Sequence, residues 1–191
     1  MPDDETHLFA QKKELRQKIR HKLALLTLES QQKESSHLVR QLADFLKKRN
    51  LETAHIAVFA ACGTEIDLSS LHKELPLASF YYPLCHKGNL MSFHRISFPD
   101  QELRPGYRGL LEPSEDIPAV EPEKLDVIIV PGLAFTQKGH RLGKGCGFYD
   151  RYLSRNEVKA LLLGVSFSCQ IVEDIPSTSQ DKQVHHVFSA E

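Results

Sequence analysis

What this sequence lacks narrows the field before any motif is considered. None of its four cysteines, Cys62, Cys85, Cys146 and Cys169, lies in a CxxC pair, and no pair has zinc-ligand spacing. Four reduced thiols in an intracellular protein are therefore expected. No apolar run approaches the roughly 20 residues of a membrane-spanning helix. The opening residues, MPDDETHLFAQKKELRQ, are too charged for a signal peptide. A cytoplasmic protein without a membrane partner is expected. A basic excess is also missing: the formal net charge is -1 over 191 residues. That disfavours a general nucleic-acid binder, as does the lack of any RRM or KH signature. There is no internal repeat, no low-complexity tract, no GxxxxGK[ST] loop and no GxGxxG in its dinucleotide context.

What is present reads as a globular chain long enough to bury a core without disulfides. Leu15, Ile19, Leu23 and Leu26 form one apolar stripe, which predicts a helix over 8–26. Lys12 and Arg16 are four apart and share another face of it. A second helix is expected over roughly 30–49, with Leu38, Leu42, Phe45 and Leu46 inward and capping residue types in the TLES before it. Short apolar runs then predict strands at 55–61, 77–84, 89–96, 125–132 and 159–167, with a last one in QVHHVFS. Residues 64–75 are expected to be a turn and a short helix, and a helix starts near 148. The proline-rich 99–124 segment is expected to be a long irregular connection. LDVIIVPG is apolar on both faces, as a central parallel strand requires. Strands alternating with helices predict an α/β sheet covered on both sides.

The stretch that follows that strand, GHRLGKGCGFYDRYL (139–153), is unusual. It lies where α/β sheets bind ligands, beyond the carboxyl end of a strand and before a helix. Gly143, Gly145 and Gly147 alternate with Lys144 and Cys146. Such a run can form a backbone N–H nest for an anion, with Arg141 and Lys144 adding charge. The alternative is a glycine-rich turn with solvated charges. Asp150 fits a Mg²⁺ ligand beside phosphates, or simply an aspartate in a first helical turn. Glu65 is open between a ligand contact and a cap for a helix near Asp67. The HH at 185–186 does not chelate one ion, because neighbours on a strand face opposite ways. Tyr81, Tyr82, Met91 and Phe93 divide between ligand contact and core, with core expected for at least half.

The segment VPGLAFTQKGHRLGKGCGFYDRYL resembles the signature of the 5-formyltetrahydrofolate cyclo-ligase (5,10-methenyltetrahydrofolate synthetase) family. Three further elements accompany it in order: Lys12, Leu15 and Arg16; HIAVFAACGTEI with Glu65; and Gly109, Glu112 and Pro113. Gln170, Val172, Pro176 and Asp181 follow. The resemblance implies a three-layer α/β/α sandwich with a mostly parallel central sheet, in a single domain over 1–191 whose helical 1–50 part packs on the sheet. It implies ATP- and Mg²⁺-dependent closure of 5-formyltetrahydrofolate to 5,10-methenyltetrahydrofolate. Arg141 and Lys144 are the implied catalytic residues. The implied ATP contacts are Lys12, Arg16, Arg141, Leu142, Gly143, Lys144, Gly145, Cys146, Gly147, Phe148 and Tyr149. The implied folate contacts are Ala60, Glu65, Lys144, Gly145, Cys146, Gly147 and Phe148. Asp150 and Asp181 are the implied Mg²⁺ ligands. A monomer acting on small molecules is expected.

Some positions depart from the family pattern. Thr136 stands where aspartate is usual, and Cys146 and Phe148 where glycine or lysine and tyrosine are common. Gln180 replaces a histidine before Asp181, and His185 stands where an acidic residue is frequent. The rival reading is therefore a relative that keeps nucleotide or folate affinity but has lost turnover.

Overall fold

A computed structural model describes residues 2–178 and 181–190, with side chains from residue 6 onward. Gln180 lies outside the described residues. Two long helices open the chain, α1 (Pro2–Ala24) and α2 (Leu28–Lys48). Thr27 separates them because its hydroxyl accepts the Ser30 N–H at 3.1 Å and caps α2. Then come β1 (His55–Ala57), α3 (Leu71–Glu74), β2 (Ser79–His86) and β3 (Leu90–Arg95). α4 (Pro99–Glu102), β4 (Arg104–Pro105), β5 (Leu111–Glu112), β6 (Val127–Val130), β7 (Ala134–Phe135) and β8 (Arg141–Leu142) follow. The chain closes with α5 (Phe148–Leu153), β9 (Leu161–Ser166) and β10 (His186–Ser189).

Six strands make one sheet in the order β10-β9-β6-β1-β2-β3. Every pairing is parallel except β2 with β3, which are joined by a tight connection. β6 sits near the middle, and alternate residues explain its all-apolar sequence. Val127 and Ile129 join the cluster that Ile19, Leu38, Leu42 and Leu46 of α1 and α2 build on one face. Ile128 and Val130 join Tyr152 and Leu153 of α5 on the other. The architecture is α/β/α, with a mostly parallel sheet as its middle layer. No helix among the described residues is long and apolar enough to cross a membrane.

Two segments differ from the sequence expectation. The strand expected over 55–61 ends at Ala57. Val58 still donates to the Tyr81 carbonyl at 2.9 Å, but the chain then leaves the sheet and carries Phe59 and Ala60 toward a cleft. The 99–124 segment is not wholly irregular, since it holds α4 and the β4–β5 hairpin. A turn closed by Gly106 N–H to Leu110 O at 2.7 Å overrides the proline content there.

Behind the cleft, Gln170 ties the end of β9 to the end of β6. Its Oε1 accepts the Phe167 N–H at 2.8 Å. Its Nε2 donates to the Gly132 and Leu133 carbonyls at 2.9 and 3.0 Å. The side chain is buried, so its amide satisfies three backbone groups that water does not reach freely. Gln170→Leu should therefore lower unfolding free energy by roughly 2–4 kcal/mol, read from urea denaturation. A midpoint equal to wild type would show that these groups find other partners.

Candidate functional site

β1 connects onward to β2 on one side of the sheet, and β6 connects to β9 on the other. β1 and β6 are neighbours, so the chain direction switches between them, and a crevice opens beyond their carboxyl ends. A cleft of about 370 Å³ occupies this place. The exit of β1 supplies Phe59, Ala60 and Glu65, and the exit of β6 supplies Pro131 and Gly132. Arg141, Gly143, Lys144, Cys146, Gly147, Phe148, Tyr149 and Asp150 line it from the glycine-rich loop and α5. Leu142 and Gly145 do not. The Leu142 side chain is in the core and its carbonyl accepts from Leu133 N–H at 2.7 Å.

The loop's backbone is held open by its glycines. Gly145 and Gly147 have φ of +111° and +72°, a region that other residues enter only under strain. A Cβ on Gly147 would also meet the Arg151 guanidinium at 2.4 Å. Among the described residues, no backbone N–H from Gly143 to Gly147 donates to a protein acceptor. A run of free amides in this conformation is what an anion-binding nest needs.

Charge is distributed around the loop in three ion pairs. Arg141 Nη2 meets Asp150 Oδ1 at 2.5 Å, with the arginine side chain only 4% exposed. Arg141 Nη1 donates to the Pro131 carbonyl at 3.2 Å, while its buried Nε has no partner among the described residues. Lys144 Nζ lies 2.6 Å from Glu65 Oε1. The other oxygen of Glu65 accepts the Cys62 N–H at 2.9 Å, so Glu65 braces its own turn and does not cap α3, which starts six residues later. Lys12 Nζ meets Asp181 Oδ2 at 2.7 Å.

Lys12, Arg16 and Asp181 do not line the cleft; they stand behind the glycine-rich loop. Arg16 Nε donates to the Gly143 carbonyl at 3.0 Å, which docks α1 onto the loop. Burial and then Arg20 push the Arg16 guanidinium below its ordinary pKa, opposed by Asp181 and Asp150. Both carboxylates thus act on one arginine. Burial works against ionisation of Asp181, but the Lys12 hydrogen bond and the Thr178 amide outweigh it and hold the carboxyl below its usual range. Burial, then the Glu65 carboxylate, pushes the Tyr149 phenol well up, so it stays neutral. Its buried hydroxyl also lacks a partner among the described residues.

The fit to a hard divalent cation can be tested on the carboxylates themselves. Asp150 and Asp181 each commit one oxygen to a cation and keep the other without a partner among the described residues. No group of three or more His, Cys, Asp or Glu side chains converges among those residues. Mg²⁺ held by one or two carboxylates plus phosphate oxygens matches this donor set, and a closed protein cage does not.

Several cleft residues were not legible as such. Arg20 lies one turn beyond Arg16 on α1 and reaches the cleft, a signal present in the i, i+4, i+8 spacing of Lys12, Arg16 and Arg20. Pro83, Cys85, Tyr107, Arg108, Leu110, Leu111 and Glu112 also line it, and only Glu112 belongs to a motif. Of the four aromatic or sulfur candidates, Met91 lines the cleft while Tyr81 and Phe93 are core. Tyr82 is buried on the opposite face. Burial, then the hydrogen bond to Glu112, pushes the Cys85 thiol up to about 12.

The departures have local accounts. Thr136 Oγ1 accepts the His140 N–H at 3.1 Å, the turn-capping bond an aspartate carboxylate also makes. His185 Nδ1 accepts the Leu162 N–H at 2.8 Å, while His186 packs on Phe45 with ring centroids 5.2 Å apart. The two histidines are separately employed.

Comparison with known proteins was made against this geometry. The 5-formyltetrahydrofolate cyclo-ligase family profile matches residues 9–190. The chain is 33% identical over 172 residues to the 5-formyltetrahydrofolate cyclo-ligase of Escherichia coli strain K12, covering 85% of this chain and 91% of that one. It is 29% identical over 178 residues to the Haemophilus influenzae protein of the same name, covering 89% and 92%. The solution structure of Aquifex aeolicus 5,10-methenyltetrahydrofolate synthetase superposes with a TM-score of 0.79 at 32% identity, covering 94% of this chain and 90% of that one. A profile that spans nearly all the described residues, together with relatives matched along their length, leaves one assignment: the chain belongs to the 5-formyltetrahydrofolate cyclo-ligase family.

Proposed function

We propose that the chain converts 5-formyltetrahydrofolate and ATP to 5,10-methenyltetrahydrofolate, ADP and phosphate, with Mg²⁺ required. The observation that carries this reading is the run of amides at Gly143 to Gly147, without acceptors among the described residues, in a loop that brings Arg141 and Lys144 into one cleft. In the proposed reaction the formyl oxygen attacks the γ-phosphorus and ADP leaves. N10 then adds to the formyl carbon and gives up its proton to solvent, the C–O bond breaks with phosphate as the leaving group, and the amidinium-like methenyl bridge remains.

No side-chain nucleophile is needed, so the protein contributes position and charge. The loop amides and Arg141 would receive the triphosphate. Arg141 has the free Nε to offer, and its burial makes each hydrogen bond it donates stronger than in water. Lys144 would exchange Glu65 for phosphate. Released from Lys144, Glu65 would turn an acceptor to the N–H groups of the pterin edge beside Ala60. Cys146 and Phe148 would face the folate ring. Lys12 and Arg16 would support the phosphates from α1, with Leu142, Gly145 and Tyr149 contributing backbone or neutral hydroxyl. Asp150 and Asp181 would hold Mg²⁺, which when bound neutralises phosphate charge. The 191 residues act here as one cytoplasmic, monomeric unit on small molecules, in keeping with the near-neutral net charge.

Absorbance growth of the methenyl product from 5-formyltetrahydrofolate and MgATP tests the reading. Absence of product with folded protein that still binds ATP and folate calorimetrically would favour a binding protein. Arg141→Ala should lower turnover by on the order of 10²-fold or more. Near-normal turnover would move the role to Lys144 or the α1 pair. Excess chelator should abolish turnover, and Mg²⁺ should restore it. Full activity in chelator would remove the metal from the scheme.

A further inference from the structure

β2 outruns its neighbour. Ser79 to Tyr81 pair with β1, but β1 stops there and β2 continues to His86. The Cys85 N–H is thus left without a strand to bond on that side. Glu112 takes it: Oε1 accepts the Cys85 N–H at 2.9 Å. The second oxygen, Oε2, accepts the Tyr107 N–H at 2.7 Å, five residues back along the hairpin. The Glu112 residue is only 5% exposed, and no lysine, arginine or histidine pairs with it among the described residues. A buried carboxylate is costly unless its oxygens are well hydrogen-bonded. Here both oxygens are spent on backbone amides from two different segments.

The surroundings are shaped to this bond. A Cβ on Gly106 would fall 2.0 Å from Glu112 Oε2, so the carboxylate occupies the space a side chain would need. Tyr107, set by that bond, places its ring edge-on to Phe148 with centroids 5.4 Å apart. Tyr107, Leu110 and Leu111 then form an apolar stretch of the cleft wall, opposite in character to the Arg141 and Lys144 side. Arg108 at the tip holds φ of +51°, a left-handed conformation that a non-glycine residue keeps only when its neighbours impose it.

We propose that Glu112 is a positioning residue: it clamps the 104–112 hairpin to the end of β2 and so sets the Tyr107–Phe148 roof over the flat, ring-bearing substrate. The cationic end of the cleft does not depend on it. This rests on the folate reading above, but the clamp itself can be measured without any ligand. Burial first, and then the hydrogen bond to Glu112, raises the pKa of the Cys85 thiol.

Glu112→Gln keeps the size and one acceptor oxygen, but turns an NH₂ toward one of the two amides. Amide hydrogen exchange on the unliganded protein should show protection at Tyr107 or Cys85 falling about tenfold or more, with β6 and β9 amides unchanged. In the enzyme assay the KM for 5-formyltetrahydrofolate should rise about tenfold, with kcat and the KM for ATP within roughly twofold. Tyr107→Ala should reproduce the folate KM rise while Cys85 stays protected. Unchanged protection in Glu112→Gln would overturn the clamp. Lost protection with an unchanged folate KM would overturn its positioning role, and so would an equal rise in both KM values. If wild-type protein makes no methenyl product, the functional reading fails, and the exchange data still decide the clamp.

Discussion

A guanidinium buried against a hydrophobic core has to be neutralised by the protein that buries it. Arg141 is that group here, and much of the local structure answers to it. Asp150 supplies the charge, at 2.5 Å, from the first turn of α5. The Pro131 carbonyl takes a second N–H from the end of β6, and the guanidinium carbon lies 5.9 Å from the centre of the Tyr149 ring. Gly143 leaves room beside it, since a Cβ there would stand 3.0 Å from Arg141 Nη1. Removing one member of such a partly buried pair leaves the other uncompensated. α5, the β6 exit and the glycine-rich loop are therefore held in register by one side chain.

The same arrangement balances the cations gathered around the glycine-rich loop. Arg141, Lys144 and Lys12 each carry a carboxylate partner, and two of those partners are the candidate metal ligands. The cations do not repel one another, because Asp150, Glu65 and Asp181 neutralise them pair by pair. Under the proposed function, ligand binding is an exchange of partners. The carboxylates released from arginine and lysine are then free for a cation or for ring N–H groups. Pre-placed charge of this kind costs little reorganisation at the moment of reaction.

How much of this is readable from residues alone depends on the range of the interaction. β6 was legible because a run apolar on both faces fits only a strand covered on both sides. α1 and α2 were legible from 3.6-residue spacing, and the glycine-rich loop from its place after the strongest strand. The partners of the charges were not. Lys12 and Asp181 are 169 residues apart, and Glu112 and Cys85 are 27 apart. Nothing local marks such pairs, since each charged member alone reads as an ordinary surface charge. Glu65 illustrates the same limit. Its spacing suggested a helix cap, while in the fold it braces Cys62 and meets Lys144. The hairpin within 99–124 was hidden for a different reason: proline content signals the absence of long elements, and this hairpin pairs only two residues on each side.

Departures from the family pattern can be weighed against the contacts observed. Phe148 lacks the hydroxyl that a tyrosine would bring, so the question is whether its surroundings ask for one. Its neighbour is the Tyr107 ring, met edge to face at 5.4 Å with an interplanar angle of 75°. That contact depends on the ring quadrupole and the apolar area, both of which phenylalanine retains. Thr136 makes the same case from the polar side, since the one bond its turn requires is an oxygen accepting the His140 N–H. In both places the side chain differs from the common one while the physical task is still met.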